Sequence, residues 1–567
     1  MKPSGVRPTA AAFIRLLYIL KLCAPRLIRT TKKYDSFGSR LYVYRCEGIT
    51  LYVWKRPVVY VMACNALVAV AAFLKDVFMA GYVGTSSIAD AFHLAYFIVD
   101  TISGNWLAFS VGTAAVTIFA KSIGSGSQML GRIWRNAMLL SVGLAFVAAI
   151  VLVGAVQFWD GTLFGFGAAV NMQFRTLLYI FTPLMFLLTV AALCTAMLQA
   201  HHRFLASAAA PLLMHSAFLV GALILTWRHV SPEVGIKLLA WSVIVGALAY
   251  VLIVGAALRS VSGTLSSKNL VGKPNRPSGS TQEMSVMVAA YSFLAIGMQA
   301  VYFWERTLAA QADAGTITAL SYAFRISQVP VWVVATAAAA ILLPRLSAAI
   351  GGQQWQKAGK LLGMVITFLT YVMLPLSAIL FAWREIIVTV LFQRGAFDAG
   401  SVTVTAALLG GYALAIPWQS LSLFLIRYGI ASGNVLRTAL WIGVSTIVTM
   451  GIQWFLFRAW GPIGIGYGAA AGAALQSLLL LFPLYPLLKE LRTGPGRNEL
   501  APFLIAAGLF IGMLFVGVRS WEHFPFTDAE FPRFAFAAIG IFISLAVYAW
   551  VMRKSLINTV QALFTTK

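Results

Sequence analysis

"AAFLKDVFMAGYVG", residues 71–84, decides the fold. Lys75 and Asp76 lie side by side near the far end of an apolar run from Val58 to Val83. An apolar run of about 20 residues is a bilayer-spanning helix. A charge at mid-bilayer costs at least about 2.5–3.5 kcal/mol, so both residues are expected to face protein or a water-filled cavity. Neighbours on a helix point about 100° apart. Lys75 and Asp76 are therefore expected to pair across helices, or with a ligand, rather than with each other.

The rest of the chain has the same character. Of its 567 residues 60% are hydrophobic and 10% charged, against about 25% charged in soluble domains. Apolar runs of spanning length recur to residue 552, fourteen in all, the last two at roughly 500–518 and 534–552. The fold class expected is an all-α polytopic membrane protein with about fourteen transmembrane helices. No hydrophilic stretch is large enough for a soluble catalytic domain, which points to a transporter rather than an enzyme. Cys23, Cys46, Cys64 and Cys194 have neither metal-ligand nor disulfide-framework spacing. "GIGYGAAAG" (464–472) resembles a nucleotide loop in letters only; it opens an apolar span, where Gly468 and Gly472 fit close helix packing. Neither a metal nor a cofactor is expected, and the basic N-terminus lacks the form of a cleaved signal peptide.

The net charge of +25 would suggest nucleic acid in a soluble protein. Here the Lys and Arg positions assign it to topology. Residues 1–57 hold twelve, the loops after even-numbered spans and the C-terminus hold about nineteen, and the opposite loops hold about eight. This is the positive-inside bias, with both termini cytoplasmic and no nucleic-acid partner. Five segments are expected: a basic extension (1–57), six spans (58–258), a Ser/Gly/Pro/Lys-rich cytoplasmic linker (259–283), six spans (284–490), and two spans with a tail (491–567). "AAFIRLLYILKLCAPRLIRTTKKY" (11–34) reads either as a basic tail or as an amphipathic helix on an anionic inner leaflet.

The two six-span segments look like copies. "KDVFMAGYVGTSSIADAF" (75–92) and "ERTLAAQADAGTITALSYAF" (305–324) each begin with an adjacent pair of opposite charges, then carry Gly-Thr and Ala-Phe. Two even-membered copies share an orientation and leave a cleft between lobes. Lys75, Asp76, Asp90, Asp100, Glu305, Arg306 and Arg325 lie inside spans. They read either as mutual structural neutralisation or as a polar cavity with cations for an anionic substrate. Asp100 also reads as a helix-end residue beside "TISGN". His93, one turn from Asp90, reads as a packed core histidine or as one touching the cavity, His215 as a packed histidine, and His201-His202 as solvated.

"ILLPRLSAA" (341–349), "LFQRGAFDAGSV" (391–402), "GTITALSYAFRISQVP" (315–330) and "AMLQAHHRFLASAAAPLL" (196–213), with 75–92, resemble the MurJ/MviN family of the MOP (multidrug/oligosaccharidyl-lipid/polysaccharide) exporter superfamily. The resemblance covers roughly residues 58–490. It implies two six-helix lobes plus two appended C-terminal helices in a bacterial inner membrane. It also implies alternating-access flipping of lipid II, the undecaprenyl-diphosphate-linked peptidoglycan precursor. On it Lys75, Arg306, Arg325, Asp90 and Asn105 are substrate-binding residues, and Asp76 and Glu305 serve coupling or gating. Trp106 would join Asn105 in contacting sugar. Driving force would be Na+, H+ or the membrane potential, and partners would include cell-envelope biosynthesis proteins. The chain departs from the family in four places. Lys75 replaces a cavity arginine, and Gln328 stands for a glutamate. Ala69 and Ser103-Gly104 stand where the family has other cavity arginines. An exopolysaccharide repeat-unit lipid is therefore a second candidate substrate. A multidrug-type, ion-coupled exporter and a non-transporting membrane scaffold are the alternatives from other classes.

Overall fold

The computed structural model describes residues 28–29, 33–34, 40–46, 49–53, 56–123, 127–158, 168–259, 281–484, 500–523, 530–553 and 555. In hydrocarbon every backbone N–H and C=O must be satisfied within its own segment, so apolar runs become helices. In the first half these are α1 (Arg56–Val83), α2 (Ser87–Ser122), α3 (Ser127–Phe158), α4 (Ala168–Ala200), α5 (Phe204–Arg228) and α6 (Pro232–Leu258). In the second half they are α7 (Thr281–Ala309), α8 (316–351), α9 (Trp355–Ala382), α10 (Ala399–Ala431), α11 (Val435–Trp460) and α12 (Ile463–Leu481). Each of these twelve contains a stretch long and apolar enough to cross a membrane. Then follow α13 (Leu500–His523) and α14 (Glu530–Val551), of 24 and 22 residues. At about 1.5 Å per residue, 22 residues reach roughly 33 Å, enough for a hydrocarbon core of about 30 Å.

The internal copy is visible in the backbone. α1 and α7 each lead through a glycine of positive φ, Gly84 (59°) and Gly315 (92°), into the next helix. Both of those next helices widen into a π-helical segment, Thr101–Ala108 in α2 and Val331–Ala335 in α8. The expected glycine packing is present as well. A Cβ on Gly472 would lie 2.2 Å from Thr449 Cγ2, and one on Gly468 2.5 Å from Gln453 Cγ. α13 and α14 seat on α9, where Phe510 and Tyr548 pack with Trp383 and Tyr548 Oη donates to Tyr371 O (2.9 Å).

The extension before α1 corrects one expectation. Ile28–Arg29, Lys33–Tyr34, Arg40–Cys46 and Ile49–Val53 form a small antiparallel sheet. Tyr42 faces Val53 and Tyr44 faces Leu51 across the last pair. Alternating Tyr, Val and Leu in "RLYVYRC" and "ITLYV" favour strands, so a helix does not run to residue 34. The rest of the 11–34 segment, like the linker over 260–280, falls largely outside the described residues.

Candidate functional site: a charged cavity under an interlocked junction

The turns after α1 and α7 meet at one end of the molecule. Ala396 N donates to Gly81 O (2.9 Å), and Thr85 Oγ1 and Ser401 Oγ share a hydrogen bond (2.7 Å). A Cβ on Gly84 would stand 2.2 Å from Ala396 O, and one on Gly315 2.3 Å from Thr85 O. Only glycine allows this approach, and only glycine takes these φ values without strain. Asp90, at the start of α2, crosses to the other half. Its carboxylate accepts from Gly315 N (2.6 Å), Thr318 N (2.8 Å) and Thr318 Oγ1 (2.6 Å). A carboxylate at a helix N-terminus satisfies free N–H groups and complements the helix dipole. Asp90 thus caps α8 and is not among the residues lining the cavity below, where the resemblance had set it against substrate. Beside it Asp398 caps α10. Ser401 N–H and Oγ–H hold its carboxyl below the usual carboxylate range.

Below this junction lies a cavity of about 410 Å³, walled by α1, α2, α7, α8, α10 and α12. Lys75, Asp76, Asn105, Arg306 and Arg325 all line it. Lys75 Nζ lies 2.6 Å from Asp76 Oδ1, contrary to expectation. The two side chains leave the helix in different directions, but the four-carbon lysine stem is long enough to fold back. Asp76 Oδ2 accepts from Arg325 Nε at 2.8 Å. One carboxylate therefore joins two cations from opposite halves. Lys75 Nζ also lies 5.5 Å from the ring centroids of Tyr96 and Phe218.

Arg306 is different. It is 5% exposed, stacks on Phe97 at 3.7 Å and donates to Tyr302 O (2.9 Å). Its Nε has no partner, and no carboxylate lies within 4 Å among the described residues. Its sequence neighbour Glu305 points away, accepting from Tyr412 Oη (2.6 Å) and Gln453 Nε2 (2.8 Å). Glu305 lines a small adjoining pocket rather than the cavity. A buried cation without a directly paired carboxylate is costly, which sets Arg306 apart from Lys75 and Arg325.

Three further groups line the cavity, Asp100, His93 and Gln328. Asp100 is no helix end, because the π segment carries α2 past it; it lines the cavity and accepts from Asn105 Nδ2 (3.3 Å). His93 is buried but cavity-lining, with Nε2 3.3 Å from Tyr322 Oη. Gln328 Nε2 donates to Gln419 Oε1 (2.7 Å); two glutamines within apolar helices were the available signal. Trp106 is not among the lining residues, and Ser103 Oγ turns back to Val99 O (2.7 Å). No group of three or more metal-ligating side chains occurs among the described residues.

Comparison with known proteins places this architecture. The chain is 27% identical over 466 residues to a probable lipid II flippase MurJ of Rhizobium meliloti (strain 1021), covering 81% of this chain and 85% of that one. It is 25% identical to the lipid II flippase MurJ of Burkholderia cenocepacia, over 88% and 97% of the two chains. Its fold is similar to a structure described as lipid II flippase MurJ, inward closed conformation (TM-score 0.70, 17% identity, 88% of this chain). It is also similar to an inward-facing multidrug resistance MATE family transporter of the MOP superfamily (TM-score 0.61, 13% identity, 77% of this chain). Residues 79–542 match the family described as lipid II flippase MurJ, and the chain belongs to that family.

Proposed function

We propose that this protein flips a polyprenyl-diphosphate-linked saccharide, with lipid II as its first substrate, from the inner to the outer leaflet by alternating access. The observation that carries the reading is the charge arrangement in the cavity: Arg306 buried without a carboxylate, and Lys75 and Arg325 sharing Asp76. A diphosphate offers acceptors to all three cations through charge-assisted hydrogen bonds. Taking Arg325 from Asp76 would loosen a link between the halves, which gives Asp76 a gating role. Trp332, which lines the cavity beside α8, is 43% exposed, as a residue at a lateral opening would be. The prenyl chain would remain in the bilayer along that face.

The Lys/Arg asymmetry supports cytoplasmic termini, which puts the glycine gate outside. At the other end Lys121 pairs with Glu283 at 2.7 Å across the halves. That pair is exposed and worth about 0–1 kcal/mol, a weak latch beside the close-packed gate. The reading is tested by complementation: the unaltered protein should restore growth to a bacterium depleted of its lipid II flippase. Failure with a correctly inserted protein would move the reading to an exopolysaccharide repeat-unit lipid. Ser103 and Gly104, which the resemblance aligns with arginines, favour that substrate. A reporter fused at Lys567 should read cytoplasmic, and one within 521–532 external.

A further inference from the structure

A second cavity, of about 590 Å³, opens in the C-terminal half, apart from the central one. Five helix ends frame it: the end of α8 at Ile350, the start of α9 at Trp355, the end of α10, the start of α11 and the end of α12. In the proposed orientation every one of these ends is cytoplasmic. The cavity then lies at the depth of the inner-leaflet headgroups. Its floor is apolar, with Leu425 and Leu480 buried, and its rim carries Ser432, Asn434 and Arg437. Trp355 and Trp441 flank it, residues suited to the membrane–water interface.

Arg437 has no carboxylate within 4 Å among the described residues. The sequence gives the reason. From Thr316 through Trp383, and from Ala399 through Leu484, there is no Asp or Glu. Every element framing the cavity is therefore neutral or cationic, and the rim offers Arg437 with no carboxylate from those elements against it. A free inorganic anion would leave the apolar floor wet, which the hydrophobic effect opposes. An amphiphile with an anionic head satisfies both parts. Basic pockets between membrane helices on the cytoplasmic side fit such headgroups.

We propose that this cavity binds the phosphate headgroup and upper acyl chain of an anionic glycerophospholipid of the cytoplasmic leaflet. The choice of leaflet rests on the proposed orientation; the binding does not.

The test uses the full chain in neutral detergent, titrated with dioleoylphosphatidylglycerol or dioleoylphosphatidylcholine, with bound lipids counted by native mass spectrometry. Arg437→Glu should retain one phosphatidylglycerol fewer than the unaltered protein, that site weakening at least about fivefold, the effect of roughly one interfacial charge. Arg437→Lys should keep it, and phosphatidylcholine binding should not change. Arg437 is exposed, so its variants should fold; lipid-free melting temperatures check this. Equal phosphatidylglycerol retention by the unaltered protein and Arg437→Glu would overturn the proposal, as would equal retention of the two lipids by the unaltered protein. Competition by glycerol 1-phosphate as strong as by phosphatidylglycerol would reassign the site to a soluble anion. None of these results bears on flipping, which complementation reads separately.

Discussion

The two halves carry the same signature and use it differently. Each has an adjacent pair of opposite charges shortly before a glycine of positive φ, Lys75-Asp76 before Gly84 and Glu305-Arg306 before Gly315. In the first half the pair closes on itself and recruits Arg325 from the second. In the second half the pair separates. Glu305 is held by Tyr412 and Gln453, away from the cavity, while Arg306 faces the cavity over Phe97. Helical geometry sends neighbours apart in both cases, and what surrounds each side chain decides the outcome. One half thereby contributes a shared counter-charge and the other a cation without one. The charge pattern of the cavity follows from this asymmetry: Lys75, Arg306 and Arg325 line it with Asp76 and Asp100, while Glu305 is turned aside.

Removing the cross-half link should have the largest effect. Arg325→Ala takes away a cavity-lining cation and one of the two partners of Asp76. Transport per folded molecule should fall by at least about 100-fold, the effect of a lost charge-assisted contact at the strong end, near 3 kcal/mol. Lys75→Ala should act similarly, with membrane insertion retained. If these cations only held the fold together, transport would fall in proportion to folded protein, and quantifying both separates the cases. Arg306→Ala tests the other half. It removes contacts worth about 1.5–3 kcal/mol to a charged partner, or roughly 10- to 150-fold in substrate affinity. No carboxylate is stranded by the change, so its melting temperature should fall less than that of Arg325→Ala.

Glu305→Gln should do the reverse. The carboxylate touches Tyr412 and Gln453 rather than the cavity, and weakening those bonds costs about 1–3 kcal/mol of stability. The melting temperature should drop by a few degrees, while transport per folded molecule changes by less than about tenfold. A complete loss of transport in a fully folded Glu305→Gln protein would show that the withdrawn charge couples to flipping after all.

Hydropathy made the helices legible, because bilayer thickness and backbone hydrogen bonding leave an apolar run few alternatives. The junction between the halves was half legible. Gly-Thr recurs in both copies, but nothing in the letters says that Gly84 and Gly315 press against the opposite half. The capping bonds of Asp90 were not legible because a charge inside a span signals a buried partner without saying whether that partner is a ligand or a helix terminus. The parting of Glu305 from Arg306 was invisible for a similar reason. It depends on Tyr412 and Gln453, more than 100 residues downstream. Asp100 was read as an end because the sequence around it does not announce a π-helical continuation.

The smallest effect is expected from Lys75→Arg, which restores the residue the family resemblance associates with this position. Arginine would offer diphosphate a planar, two-pronged donor set, where lysine offers a point charge. The site as folded leaves little space for it. Lys75 is 7% exposed, lies 2.6 Å from Asp76 and is enclosed by Tyr96 and Phe218. Overpacking of this kind costs about 1–3 kcal/mol, and the gain in phosphate contact offsets much of it. Native transport should therefore fall by only about threefold, the remainder of roughly 0.6 kcal/mol at the RT scale. The direction is the informative part. If arginine instead raises complementation of a lipid II flippase defect, the cavity has room for the fork, and lysine merely weakens a lipid II site. If transport falls while folding is unchanged, the enclosure by Tyr96 and Phe218 is part of the fit, and this half of the cavity is shaped around a single compact charge.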